Sequence, residues 1–307
     1  MRILITGAAG LLGSHLAAAW AMRHTVLGVD RNPWWGDAPV PLAQGDLDRT
    51  GWIEKVMLDF RPDALVHCAA WADVDGCEKD PSRAYANHAE LTRRIARALA
   101  PGTRMVYIST DGVFKGDRPL AREEWLPCPR TVYGRAKRHG EWETELAAEN
   151  HLILRTNFYG WSSGRKKTFA EWLHEALALQ REITLFDDFY FTPIYVADLA
   201  PLLGGLVESR HRGIFHLAGA QRVSKHEFGK EMARQADFSM SRVRVGSIRQ
   251  AALVAPRPRD MSLDCSKFVQ ATGQPVPDLR SGLAHFLKHR GVPLSARFPG
   301  AAAEVIR

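Results

Sequence analysis

Ile3-Leu4-Ile5-Thr6-Gly7-Ala8-Ala9-Gly10-Leu11-Leu12-Gly13 is the stretch whose reading decides the fold. A short apolar run ends in a turn whose glycines follow the spacing GxxGxxG, and helical periodicity begins at Leu11. Strand, tight turn and helix in that order open a βαβ unit. The turn needs a residue tolerant of positive φ, which glycine supplies. A turn without side chains lets backbone N–H groups approach a pyrophosphate, and the helix start adds a partial positive charge. The third glycine lets helix and strand pack closely. Gly7, Gly10, Leu11 and Leu12 are thus candidate cofactor-binding positions.

Reading outward, a second strand over residues 25–29 ends at Asp30, where a carboxylate can accept hydrogen bonds from an adenosine ribose. Arg31 follows it. Asp favours a free 2′-hydroxyl and Arg can pair with a 2′-phosphate, so NAD and NADP both stay open. Asp46 and Leu47, in Gly45-Asp46-Leu47, fall where the adenine end is expected, although a loop Asp also forms turns. Trp34-Trp35 suits either an adenine flank or an exposed loop.

Further strands are predicted at 64–67, 104–109 and 152–155, between helices at 52–60, 83–99 and 134–149. Strands separated by helices of this length imply a parallel sheet covered on both faces, a doubly wound α/β fold. Beyond residue 156 the pattern turns irregular. Helices are expected at 169–179, 195–207 and 225–236, with a strand at 213–217 able to rejoin the sheet. The reading is a dinucleotide-binding domain over 1–156, with 195–218 returning to it, and a mainly substrate-binding part over 157–307. Residues 255–258 and 273–277 read as loops, and the tail from about Ala296 as loose.

Tyr133-Gly134-Arg135-Ala136-Lys137 places Tyr and Lys on one helix face. Reducing a ketone takes a hydride at carbon and a proton at oxygen. A phenol has a pKa near ~10, and a neighbouring ammonium favours its ionised form. Thr110, at the end of the 104–109 strand, can bond the same carbonyl oxygen and stabilise its developing charge. Spacing alone says little here; the order of phosphate turn, Ser109-Thr110-Asp111 and then Tyr133 and Lys137 says more.

Of the 307 residues, 46% are hydrophobic and 24% charged, ordinary for a globular chain. No run suits a membrane span or a secretory signal, which reads as cytoplasmic. Four cysteines without a CxxC spacing argue against a disulfide framework or a metal site. His285 and His289, four apart, show no acidic partner nearby in sequence and read as surface or packing residues. The net charge of +7 suits an anionic partner. No nucleic-acid motif is present, so small phosphorylated ligands fit better. Lys166 and Lys167 can reach a diphosphate, and Asn157 stands at a strand end on the sheet's carboxyl edge, where ligands bind in such folds.

These residues resemble the extended short-chain dehydrogenase/reductase superfamily, and within it the dTDP-4-dehydrorhamnose reductase family. The likeness rests on the glycine turn, Val66-His67-Cys68-Ala69-Ala70, Tyr107-Ile108-Ser109-Thr110-Asp111, Val132 to Lys137, Leu154-Arg155-Thr156 and Arg257-Pro258-Arg259. It implies an active site of Thr110, Tyr133 and Lys137. Ala69, Ala70 and Asn87 would line an NAD or NADP site, and Asp111 and Arg257 would face a nucleotide-sugar substrate. A homodimer follows by the same analogy. The family commonly shows Ser-Thr-Asp-Tyr-Val-Phe and, after Arg-Thr, Ser-Trp; here Gly112 and Asn157-Phe158 stand instead, near the expected sugar pocket. Two other readings keep the same fold: an epimerase or dehydratase with tightly held NAD, and a non-catalytic regulatory subunit.

Overall fold

A computed structural model describes residues 1–162 and 167–298. Lys166 and the last residues of the tail lie outside that range. In chain order the first half runs β1 (Arg2–Thr6), α1 (Leu11–Trp20), β2 (Thr25–Asp30), β3 (Leu42–Gln44), α2 (Trp52–Phe60) and β4 (Ala64–His67). It continues through α3 (Val74–Lys79), α4 (Pro81–Tyr85), α5 (Leu91–Arg97), β5 (Arg104–Thr110), α6 (Val132–Ala147) and β6 (His151–Thr156). The second half holds β7 (Phe158–Tyr159), α7 (Phe169–Ala178), β8 (Ile183–Phe186), β9 (Tyr190–Phe191), β10 (Ile194–Tyr195) and α8 (Val196–Glu208). β11 (Gly213–His216), β12 (Val223–Ser224), α9 (Lys225–Ala236), β13 (Val243–Gly246), α10 (Ser266–Thr272) and α11 (Leu279–Lys288) complete it.

Seven parallel strands form the central sheet in the order β11-β6-β5-β4-β1-β2-β3. Helices cover both faces, so the strands read as unbroken apolar runs: Ile3, Leu4 and Ile5 are each at most 1% exposed. The chain winds outward from β1 through β2 to β3, then crosses back to β4 and winds the other way. The strand order reverses between β1 and β4, and ligands of such sheets bind at that switch point, beyond the carboxyl ends. β11 closes the sheet beside β6, and α8 packs on α1, where the Trp20 indole N–H donates to Ala200 O at 3.0 Å. The rest of the second half carries three two-stranded pairings, β10-β7, β12-β9 and β13-β8.

The structure corrects the sequence expectations at the 83–99 helix, the tail and His285, and adds a strand, β3, that they lacked. The helix read over 83–99 is three pieces, with a π-helical turn, Ala86–Glu90, between α4 and α5. β3 is too short for a period-2 pattern to announce it. The tail stays packed as far as the 3₁₀ turn Ser295–Arg297, because Arg297 is 6% exposed and its Nη1 meets His15 Nε2 at 3.0 Å. His285 also finds an acid, Asp198 Oδ1 at 2.7 Å, contributed by α8 rather than by its own neighbourhood.

Candidate active site

The glycine turn follows β1 as expected. Gly7 adopts φ +67°, and a Cβ there would come within 2.6 Å of Ala69 N, so only glycine fits against the strand end of β4. At Gly13 a Cβ would meet Gly7 O at 2.4 Å, which is the close helix–strand packing the third glycine permits. A Cβ at Gly10 would meet only Gly7 O. Gly10 begins α1 with no side-chain cap, and no acidic residue lies in its first turn. The helix therefore presents backbone N–H groups uncovered, as an anion site requires.

That turn borders a groove of about 420 Å³. Gly7, Gly10, Asp30, Arg31, Asp46, Leu47, Ala69, Ala70 and Asn87 all line it. Leu11 and Leu12 do not; their side chains pack into the core, so only their backbone faces the turn. Trp34 likewise turns inward, its indole donating to Val40 O at 2.9 Å, and does not flank the groove. Lining residues that the sequence reading missed include Asn32, Trp71 and Arg83, the last stacked over the Trp71 ring at 4.3 Å. No motif marks them, because they meet only when β2, the chain after β4 and α4 come together.

The glycine cradle, the uncapped helix start and the polar far end suit a dinucleotide. Asp30, at the end of β2, is 9% exposed. Its Oδ2 accepts from Ala9 N (3.1 Å), and its Oδ1 accepts from Asn32 N (2.8 Å) and Asn32 Nδ2 (3.1 Å).

A second cavity, of about 380 Å³, has its own lining. The segment after β4 contributes to both: Ala69, Ala70 and Trp71 wall the groove, Ala72 and Val74 the cavity. Thr110, Asp111, Tyr133, Asn157 and Arg257 share its wall. β5 delivers Thr110, β6 delivers Asn157, and α6 delivers Tyr133, one residue inside the Val132 start set by the Thr131 cap on Gly134 N at 3.0 Å. The Thr110 hydroxyl donates to Asp111 Oδ1 at 3.0 Å and accepts from Gly112 N at 3.1 Å. Asn157 Nδ2 donates to Asp111 Oδ2. Burial raises the Asp111 carboxyl to about 6, with the Asn157 and Thr110 hydrogen bonds working against that rise. Arg257 Nη2 pairs with Asp75 Oδ1 at 3.0 Å.

Lys137 departs from the expected arrangement. It is 3% exposed, its Nζ donates to Ile108 O at 2.5 Å, and it rests 4.0 Å from the Tyr107 ring centroid. Burial lowers it to about 7, partly offset by Glu141. The Tyr133 phenol is raised well above its ordinary value, by burial first and then by Asp111, while Thr110 opposes the rise. The ammonium has turned inward beneath β5 and does not acidify the phenol. Tyr133 is thus a protonated group at neutral pH, the form a proton donor needs. Lys167 is exposed, ion-pairs with Glu175, and lines neither cavity.

Glu141 was missed, although it falls one further turn along the Tyr133–Lys137 face. It is buried at 0% exposure with Arg155 in a bidentate pair (2.9 and 2.8 Å), and it accepts from Ser109 Oγ at 2.5 Å. That carboxylate ties together β5, β6 and α6, the three elements carrying Thr110, Asn157 and Tyr133.

Known proteins resemble this chain in sequence and in fold. A family profile described as RmlD substrate binding domain matches residues 1–291. A dTDP-4-dehydrorhamnose reductase of Mycobacterium tuberculosis (strain CDC 1551 / Oshkosh) is 32% identical over 292 residues, covering 92% of this chain and 91% of that protein. Methionine adenosyltransferase 2 subunit beta of Bos taurus is 30% identical over 295 residues, covering 90% and 84%. The crystal structure of dTDP-4-dehydrorhamnose reductase from Bacillus anthracis in complex with NADP superposes with a TM-score of 0.84 at 28% identity, covering 94% of this chain and 99% of that one.

Proposed function

The chain belongs to the RmlD substrate binding domain family, and from that premise we propose that it reduces the keto group of a nucleotide-activated deoxysugar with NADPH or NADH. The observation that carries this reading is the placement of Thr110 and Tyr133 on the wall of one cavity, bordered by Ala72 and Val74 of the same segment whose Ala69, Ala70 and Trp71 line the glycine-turn groove. Gly7, Gly10 and the start of α1 would hold the pyrophosphate, with Asp30, Arg31, Asp46 and Leu47 at the adenosine end and Ala69, Ala70 and Asn87 along the wall. A bound nicotinamide supplies the hydride. Tyr133 supplies the proton to the carbonyl oxygen, and the Thr110 O–H, turned from Asp111 to the substrate, holds that oxygen as its charge develops. Lys137 lies one helical turn beyond with its amine on Ile108 O, and Asp111, Asn157 and Arg257 would surround the sugar. The family likeness also carries the expectation of a cytoplasmic location and of a homodimer, and sedimentation reads the second directly.

The reaction is tested by following loss of reduced-cofactor absorbance with 4-keto sugar nucleotides, dTDP-4-dehydrorhamnose first. Absence of turnover with all of them would sink the reductase reading. Cofactor retained through purification and not consumed would point to the epimerase chemistry instead.

Cofactor choice follows from the adenosine end. The chain already fills three of the Asp30 carboxylate's acceptor sites, which leaves one, on Oδ2, for a ribose hydroxyl. Arg31 stands exposed on the groove wall with no side-chain partner among the described residues. NADPH is expected to bind more tightly than NADH. A charged hydrogen bond contributes about 1.5–3 kcal/mol, so Arg31→Ala is expected to weaken NADPH roughly 10- to 100-fold and leave NADH nearly unchanged. Fluorescence titration of both cofactors reads this, and equal losses for the two would refute it.

A further inference from the structure

Behind the Thr110–Tyr133 cavity lies another, of about 350 Å³. Its walls are mainly apolar, with Phe169, Trp172, Phe186 and Phe189 the largest side chains. Two cations border it, Lys225 and Arg257, and it shares Phe189 and Arg257 with the catalytic cavity. Arg257 has its partner in Asp75. The Lys225 ammonium has no hydrogen bond and no ion pair among the described residues. It lies 3.5 Å from the Phe191 ring centroid, 4.0 Å from that of Phe169 and 5.4 Å from that of Phe189. Ring faces attract a cation without neutralising it.

The chain also fixes where this charge sits. Lys225 is the first residue of α9; Ser224 and Glu227 close a capping box around that helix start, and the Lys225 backbone N–H donates to Phe189 O at 3.2 Å. An ammonium so held, half-buried in an aromatic wall and unpaired, calls for an anion. The anionic part of a nucleotide-linked sugar is its diphosphate, and lysine serves phosphate as a point charge.

We propose that Lys225 is a specificity-determining residue that holds the phosphates of the nucleotide-linked substrate, next to an aromatic cavity suited to the adjoining base. The proposal rests on the reductase reading above and adds to it a residue that no motif marks.

A pH signature follows. Burial lowers Lys225 to about 7, with Asp111 opposing the fall. Arg257, the other charged group on the wall, is committed to Asp75, and Asp188, next to the wall residue Phe189 in the chain, is committed to Ser247 Oγ at 2.6 Å and Ile248 N at 2.7 Å. On its own helix, Glu227 is taken up by the capping box. Binding an anion raises the lysine, so affinity is full below about 7 and falls as pH rises through that value. An arginine at 225 stays charged throughout.

The experiment is calorimetric titration of the full chain, with saturating NADP⁺, using dTDP as the probe. A charged hydrogen bond to phosphate sets the expected scale, so Lys225→Ala should weaken dTDP about 10- to 100-fold, raise KM with little change in kcat, and leave NADP⁺ affinity unaltered. Wild-type affinity should fall roughly tenfold between about pH 7 and 9, above the phosphate's own ionisation near 6, whereas Lys225→Arg should stay flat. The arginine variant carries the test alone if the alanine variant fails to fold. Equal dTDP affinity in Lys225→Ala and wild type, or the same pH slope in Lys225→Arg, overturns the assignment of Lys225 alone. A wild-type chain that binds NADP⁺ but not dTDP overturns the substrate reading, and this proposal with it.

Discussion

Tyr133→Phe is expected to lower kcat for keto-sugar reduction about 10³-fold, the scale of a lost general acid, while cofactor affinity stays within about two-fold. The phenol borders the catalytic cavity rather than the glycine-turn groove that would hold most of the dinucleotide, so most of the cofactor's contacts are expected to survive its loss. Single-turnover kinetics and a cofactor titration on the same sample separate the two effects. The phenol's pKa lies well above neutrality, so it imposes no limb on the pH profile near pH 7. Full activity in Tyr133→Phe would move the proton to another group, and Asp111, raised to about 6 on the same wall, would be the first to test. A variant that lost only the binding of a partner protein would favour the regulatory-subunit reading.

The largest expected loss of stability comes from Glu141→Ala. Removing one member of a buried ion pair leaves the other charge without compensation, at a cost of about 3–5 kcal/mol. Arg155 would be that stranded charge, at 0% exposure. Arg138, whose Nη1 meets Glu141 Oε2 at 2.8 Å, reaches solvent and loses less. Glu141→Leu with Arg155→Met removes both charges and should recover most of the stability, because buried pairs replaced by apolar residues of similar volume cost little. Denaturant unfolding of wild type, single and double variants decides this. Equal losses in the single and double variants would contradict the stranded-charge account.

The same pair sets an acid dependence. Burial pushes the Glu141 carboxyl up, but Arg155 and Ser109 more than offset this and hold it below its ordinary value. Its contribution is therefore present above the unfolded value near ~4.3 and is lost as pH falls through the lower folded value. The melting temperature of wild type should drop across that acid range, and that of the double variant should drop less.

The cofactor half was legible because its signals are local. A glycine turn, the strand before it and the helix after it are contiguous, and the backbone demands of a phosphate cradle leave few residue choices. Tyr133 and Lys137 are legible as a pair for the same reason, since helical geometry alone puts them on one face. Where the ammonium points is another matter. Lys137 turns toward Ile108 O because β5 passes beneath α6, and nothing within the Tyr-x-x-x-Lys segment encodes that crossing.

The pairings that hold and equip the site join distant segments. Glu141 meets Ser109 and Arg155 from neighbouring strands, His285 finds Asp198 on another helix, and Lys225 takes its aromatic faces from α7, β9 and the turn before it. The order of the residues thus settled the nucleotide-binding scaffold and the types of chemical group available, because turns and helix faces depend on neighbours in the chain. Packing settled which charges are buried, which are paired and which one is left facing a cavity, because burial and pairing depend on neighbours in space.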